Sequence, residues 1–276
     1  MRRTTRYLLL AVAALSAADL TGGPPPRPAP PVPGAQWLGG PVPVVHRTRY
    51  PEPTPVADAR PVVWVIDGAG DLKGCSNALT QANLTAGTPV ELSVFNWSHG
   101  PRRLIADQID TAHAREQGRR LAAEIKDGQA RAPGRRTVIV AHSAGCAVAL
   151  AAAEALPSDS IDRVILLAPS VSAAYDLRPA LRAPREGIDV LCSQRDWVAL
   201  GFAVRLVGTT DRSGAPAAGR FGFRADMLDD RDVPRLRQHF WSPDVAWTGH
   251  TGGHHGMHAP TFLHTYLFPM LGATVR

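Results

Sequence analysis

Five short apolar runs, separated by helix-forming stretches, limit what this chain can fold into. They are PVVWVID (Pro61–Asp67), VELSVFNW (Val90–Trp97), TVIVAH (Thr137–His142), RVILLAP (Arg163–Pro169) and IDVLCS (Ile188–Ser193). Each is too short for a buried helix, and most are rich in β-branched residues. Runs apolar at consecutive positions need cover on both faces, as central strands of a parallel sheet do. Between them lie segments of helical character. Ile105, Ile109, Leu121 and Ile125 fall on a stripe around Asp107–Lys126, and Ala144–Leu156 is alanine-rich. Thr261–Leu271 carries Phe262, Leu263, Tyr266 and Leu267 at helical spacing. Such alternation implies an α/β class, a mostly parallel doubly wound sheet flanked by helices. No internal repeat is visible, and 276 residues suffice for one such domain.

The first 59 residues stand apart from this pattern. MRRTTRYLLLAVAALSAADL has a basic start at Arg2, Arg3 and Arg6, an apolar run from Tyr7 to Ala18, and small residues Ser16 and Ala18 placed for cleavage. That reads as an export signal over 1–18, and the run is short for a membrane span. Export to the periplasm or the medium is expected, with a mature chain starting near Asp19. An uncleaved N-terminal anchor, giving envelope association, is the other reading of the same run. Residues 19–59 hold GGPPPRPAPPVPG and stay rich in proline, an extended tether. The folded domain is expected over 60–276.

Composition excludes rather than selects. The net charge is +6, and only Lys73 and Lys126 are lysine; the arginines are scattered in pairs such as Arg102-Arg103 and Arg135-Arg136. No basic stripe is interleaved with aromatics, so nucleic acid is not an expected partner. Cys75, Cys146 and Cys192 are too few and too irregular for a disulfide framework.

The run TVIVAH leads directly into SAG and an alanine-rich stretch, so Ser143 sits where a buried strand turns into a helix. Ligands of parallel sheets bind beyond the carboxyl ends of the strands, and a helix N-terminus offers free N–H groups there. Ala141 and Gly145, two residues either side, are small enough for strand and helix to approach closely. The segment A-H-S-A-G resembles the nucleophile elbow G-x-S-x-G of the α/β-hydrolase superfamily, with Ala141 in place of the first glycine. A helix N-cap is the plainer role for such a serine. NWSHG, ADQID, LLAPSVSAAYDL and GGHHG strengthen the likeness. They are similar to segments of uncharacterised bacterial serine hydrolases of esterase or lipase type. The resemblance spans roughly Arg60 to Leu271.

That resemblance implies an α/β-hydrolase fold and a triad in the order Ser, acid, His. Asp196 follows IDVLCS at the usual place of the acid; Asp211, in a polar glycine-rich loop, is the alternative. GGHHG matches the family's histidine segment at His254, with His255 next to it. The oxyanion donors implied are the backbone N–H of Ala144 and, from the loop DGAGD after the first run, that of Ala69, with Gly70 next. The stretch Ser170–Gly187 leaves room for at most a small cap. Trp97, Tyr175 and Trp197 are candidates to line an apolar pocket.

The expected function is a serine hydrolase that cleaves a small-molecule ester or amide through an acyl-enzyme, with no cofactor and no metal. Two readings compete with it. One is a catalytically inactive fold used as a binding module of the cell envelope. The other is a metal-dependent hydrolase using His250, His254 and His258, which are spaced by four. Glycines at 249, 252, 253 and 256 disfavour the helix that spacing would need.

Overall fold

The computed structural model describes residues 35–37, 60–86, 90–196, 199–200 and 208–272. Seven strands make one sheet: β1 (Ala35–Trp37), β2 (Val62–Ile66), β3 (Glu91–Val94), β4 (Thr137–His142), β5 (Arg163–Leu167), β6 (Ile188–Cys192) and β7 (Leu236–Phe240). All pairings are parallel, in the order β1-β7-β6-β5-β4-β2-β3. The helices are α1 (Gly74–Ala86), α2 (Leu104–Ile109), α3 (Thr111–Arg131), α4 (Gly145–Ala155) and the short α5 (Ala218–Phe221). A last helical segment covers residues 260–270 and includes one π-helical stretch, Leu263–Leu267. This is a doubly wound α/β fold on an all-parallel sheet, with a single 3-10 turn, Ala180–Arg182, as the regular structure between β5 and β6. Among the described residues no helix is long and apolar enough to cross a membrane.

Strand side chains alternate between two cores, as the period of two dictates. Trp64, Ile66, Ile139, Ala141, Val164, Leu166 and Val190 face α3 and α4. Val63, Val65, Val138, Val140, Ile165, Leu167 and Leu191 face α1 and the C-terminal segment, where Leu79, Phe262, Leu263 and Phe268 meet them. Each fully buried Leu or Ile side chain contributes about 1.5–3 kcal/mol relative to exposure. α3 and α4 touch at Gly118, where a Cβ would come within 2.5 Å of the Ala151 Cβ.

Three sequence expectations need revision. The stripe around Asp107–Lys126 is two helices, broken at Asp110, whose side chain accepts from the His113 N–H at 2.9 Å. Leu121 and Ile125 are buried as expected, but Ile109 is exposed, and the residue α2 buries is Asp107. β7 escapes the apolar-run criterion because its sequence is LRQHF; Arg237 and His239 are satisfied by Asp189, and Gln238 by the Phe223 backbone. The stretch 19–59 contributes an edge strand, with Ala35, Gln36 and Trp37 registered on Gln238, His239 and Phe240. The signal stretch 1–18 lies outside the described residues.

The strand order fixes where a site can be. The chain runs outward from β2 to β3, then returns to the other side of β2 to form β4 and continues away. The crevice between β2 and β4 is therefore the switch point, and the loops leaving their carboxyl ends face each other there.

Candidate active site

Two backbone turns meet at that switch point. After β4 the chain reverses at Ser143, whose φ of 53° lies in the left-handed region that residues with a Cβ seldom adopt. The turn is held by the Ser143 N–H donating to the Leu167 carbonyl at 2.9 Å. α4 then passes so close to β2 that a Cβ on Gly145 would stand 2.3 Å from the Asp67 carbonyl oxygen. Glycine is required there, which is the physical content of the small residue two places after the serine.

After β2 the loop from Asp67 lies against the same turn: a Cβ on Gly68 would sit 3.2 Å from the Ser143 Cβ. Two buried carboxylates shape this loop. Asp67 Oδ1 accepts from the N–H groups of Cys75 (2.8 Å) and Ser76 (3.0 Å) in the first turn of α1. Its carbonyl accepts from the Trp97 indole at 2.8 Å. Asp107 accepts from the Gly70 N–H (2.7 Å), the Ser98 hydroxyl (2.5 Å) and the His99 N–H (2.8 Å). Gly70 is thus committed to Asp107. The N–H groups of Ala69 and Ala144 have no hydrogen-bond partner among the described residues. Asp107 was legible only as a polar member of a helical stripe; its place as the loop's anchor has no local sequence signal.

Of the candidate histidines, the fold brings His254 to the serine. His254 Nε2 is 3.0 Å from Ser143 Oγ, and His254 Nδ1 is 2.5 Å from Asp196 Oδ2. A carboxylate only accepts, so Nδ1 carries the proton and Nε2 offers its lone pair to the serine O–H. Asp196 is buried and accepts also from the Leu200 N–H at 3.3 Å. The loop after β6 is tied to the histidine loop by the Ser193 hydroxyl, which donates to the Gly252 carbonyl at 2.5 Å. Asp211 lies elsewhere, accepting from the Ser172 N–H at 3.0 Å.

The other histidines divide. His250 is fully buried, edge-on to Phe262 with ring centroids 4.8 Å apart, and accepts from the Gly252 N–H at 3.2 Å. The helical set of His250, His254 and His258 is not assembled, because the loop turns at Gly252 (φ 96°) and His254 is engaged with Asp196 and Ser143. Beside His254 a different trio converges: His142, His255 and His258. The His142 Nε2–H donates to the His254 carbonyl at 3.2 Å. Burial holds His142 well below the usual imidazole range and pushes His250 down to about 4 and His258 to about 3. These rings are neutral near pH 7.

The remaining candidates have quieter places. Trp97 is buried under the Asp67 turn, and the Tyr175 hydroxyl donates to Glu154 at 2.6 Å. Trp197 lies outside the described residues. Cys75, Cys146 and Cys192 are free, and burial pushes their thiols up, so none is a reactive thiolate.

Residues 100–186 match the serine hydrolase family, a span that includes Ser143 and ends before Asp196 and His254. No curated protein matches the chain. Among solved structures, an uncharacterised protein from Bacillus cereus is similar with 15% identity and a TM-score of 0.44. The match covers 75% of this chain and 58% of that one, so the chain spans little more than half its length. An esterase from Pyrococcus furiosus matches at 10% identity and TM-score 0.39, over 74% and 82% of the two chains. A cutinase-like protein from Cryptococcus sp. matches at 12% identity and TM-score 0.40, over 79% and 98%.

Proposed function

We propose that this protein hydrolyses carboxylic esters of small molecules through an acyl-enzyme on Ser143. The observation that carries the reading is the chain of contacts from Ser143 Oγ to His254 Nε2 (3.0 Å) and from His254 Nδ1 to Asp196 (2.5 Å). In the proposed reaction His254 Nε2 takes the hydroxyl proton as Oγ bonds to the substrate carbonyl carbon. The developing oxyanion is received by the N–H groups of Ala69 and Ala144. His254 then returns the proton to the departing alkoxide as the C–O bond breaks. Water, deprotonated by the same nitrogen, then attacks the acyl carbon; the bond to Oγ breaks, the acid departs, and His254 returns the proton to Ser143 Oγ. Asp196 stabilises the imidazolium between these steps.

The test is hydrolysis of a series of short p-nitrophenyl esters by wild type and Ser143→Ala. Turnover that vanishes in a folded Ser143→Ala protein supports the reading, and undiminished turnover rejects it. Hydrolysis should survive EDTA, since no step uses a metal. Loss with EDTA and recovery with zinc would transfer the chemistry to a metal.

The basic and apolar start supports export as well, with the enzyme acting outside the cytoplasm. Recovered protein should begin near Asp19; a Met1 end on cytoplasmic protein would oppose this.

A further inference from the structure

Three imidazoles stand together beside His254 that hydrolysis does not use. One ligand nitrogen from each of His142, His255 and His258 lies within 4.8 Å of the others. The ring centroids of His142 are 4.6 Å from His258 and 5.6 Å from His255, and those of His255 and His258 are 5.4 Å apart. His142 comes from the end of β4 and the other two from the loop before residues 260–270, so two separate elements fix the group. The His258 Nε2 is a buried polar atom with no hydrogen-bond partner. His142 already has the outer bond typical of a metal-ligating histidine: its Nε2–H donates to the His254 carbonyl, which leaves Nδ1 with the lone pair. His255 is exposed, and three protein ligands leave a fourth coordination position for water.

We propose that His142, His255 and His258 bind a divalent transition ion of the zinc class and that this ion inhibits the hydrolase. Three nitrogen donors without carboxylate suit zinc, copper, nickel or cobalt rather than magnesium or calcium. At a zinc–nitrogen distance of about 2.0–2.1 Å, tetrahedral ligand atoms sit roughly 3.4 Å apart, so the three nitrogens, now within 4.8 Å of one another, draw together on binding. The inhibitory part rests on the proposed role of His254, whose ring is 4.7 Å from that of His142 and 5.2 Å from that of His255. A dication at that range opposes the imidazolium that His254 must become.

The experiment is calorimetric titration of the tag-free full chain with zinc chloride. It uses wild type, Ser143→Ala, His255→Ala and His258→Ala, each checked by its thermal melt. One zinc should bind wild type and Ser143→Ala alike, and each histidine variant should lose affinity by about tenfold or more. No binding, or undiminished affinity in the folded, exposed-site variant His255→Ala, overturns the site. In parallel, the rate at which a fluorophosphonate labels Ser143 should fall at least tenfold in wild type at saturating zinc. It should fall much less in His255→Ala at the same zinc concentration. Zinc that binds but leaves labelling unchanged overturns the inhibition. A protein never labelled in either state would break the hydrolase reading, while the Ser143→Ala titration still decides the site.

Discussion

Two buried aspartate–histidine pairs, whose aspartates are seven residues apart on the chain, flank β6, and their surroundings differ. Asp189 meets His239 Nε2 at 2.8 Å at the amino end, and Asp196 meets His254 Nδ1 at 2.5 Å beyond the carboxyl end. Both carboxylates are almost fully buried. Asp189 is also held by Arg237 through two bonds, at 2.9 and 2.7 Å, with Arg163 at 3.6 Å. Burial works to raise its pKa, but the bonds from His239 and Arg237 and the arginine charges outweigh it. The carboxyl stays well below the usual range. Around it Glu186, Arg136 and Asp162 extend a network that closes the bottom of the sheet. Asp196 has no arginine in ion-pair contact among the described residues, so its charge is directed at one imidazole whose far nitrogen meets a hydroxyl. An aspartate shared with arginines stabilises the fold; in the proposed reaction, an aspartate left to one histidine prepares a base. That fits the rule that parallel sheets carry ligands at their carboxyl ends.

The contrast breaks most visibly in activity. Ser143→Ala and His254→Ala should each lower kcat by several orders of magnitude, and the double variant should be scarcely worse, because both remove the same step. Asp196→Asn should cost up to about 10⁴-fold through the wrong histidine tautomer. Asp189→Asn should leave ester turnover near wild type, as its pair lies at the far end of the sheet. Steady-state kinetics on one p-nitrophenyl ester compares all five variants.

Stability should show the reverse order. Asp189→Asn takes a buried carboxylate away from Arg237, Arg163 and His239 and should cost about 3–5 kcal/mol, on the order of 10 °C in Tm. Asp196→Asn should change Tm by much less. Calorimetric melts at pH 7 separate the two; equal losses would erase the distinction.

Acid should strike the two ends in sequence. His250 has a folded pKa near 4 against an ordinary 6.5. Between those values the unfolded chain binds a proton that the native state refuses. Stability is complete above pH 6.5 and falls as pH drops toward 4, by up to about 1.4 kcal/mol per pH unit for this residue. The carboxyl of Asp189 is depressed, so its contribution persists until pH falls below its ordinary 3.8. Urea melts from pH 7 to 3 should show a shallower slope between 6.5 and 4 in His250→Asn, whereas Asp189→Asn should lower stability throughout and change the slope only below its ordinary 3.8. An unchanged slope in His250→Asn would mean that this ring is not kept neutral by the fold.

What the sequence made legible follows from where the physics is local. Four of the five strands were readable because burial on both faces demands uninterrupted apolar runs; the fifth, β3, lies at the sheet edge with Glu91 and Val94 exposed. The elbow was readable because a strand-to-helix reversal demands small neighbours such as Ala141 and Gly145. β7 was not, since its Arg237, Gln238 and His239 are satisfied by partners 15 to 51 residues away. Nor was Asp107's place under the loop, which a carboxylate 37 residues from Gly70 cannot announce. The histidine loop was readable as a source of imidazoles but not in its grouping. Spacing by four pointed to His250, His254 and His258, whereas the turn at Gly252 sends His250 to the core and gathers His255 and His258 around His142.

The most direct measurement is the site and rate of labelling by a fluorophosphonate probe, mapped by peptide mass spectrometry in wild type, His254→Ala and Asp189→Asn. If Asp196 and His254 activate one hydroxyl, the adduct forms on Ser143 in wild type and in Asp189→Asn at similar rates, and labelling nearly ceases in His254→Ala. A folded wild-type protein that leaves Ser143 unmodified, or a His254→Ala variant labelled as fast as wild type, would contradict it.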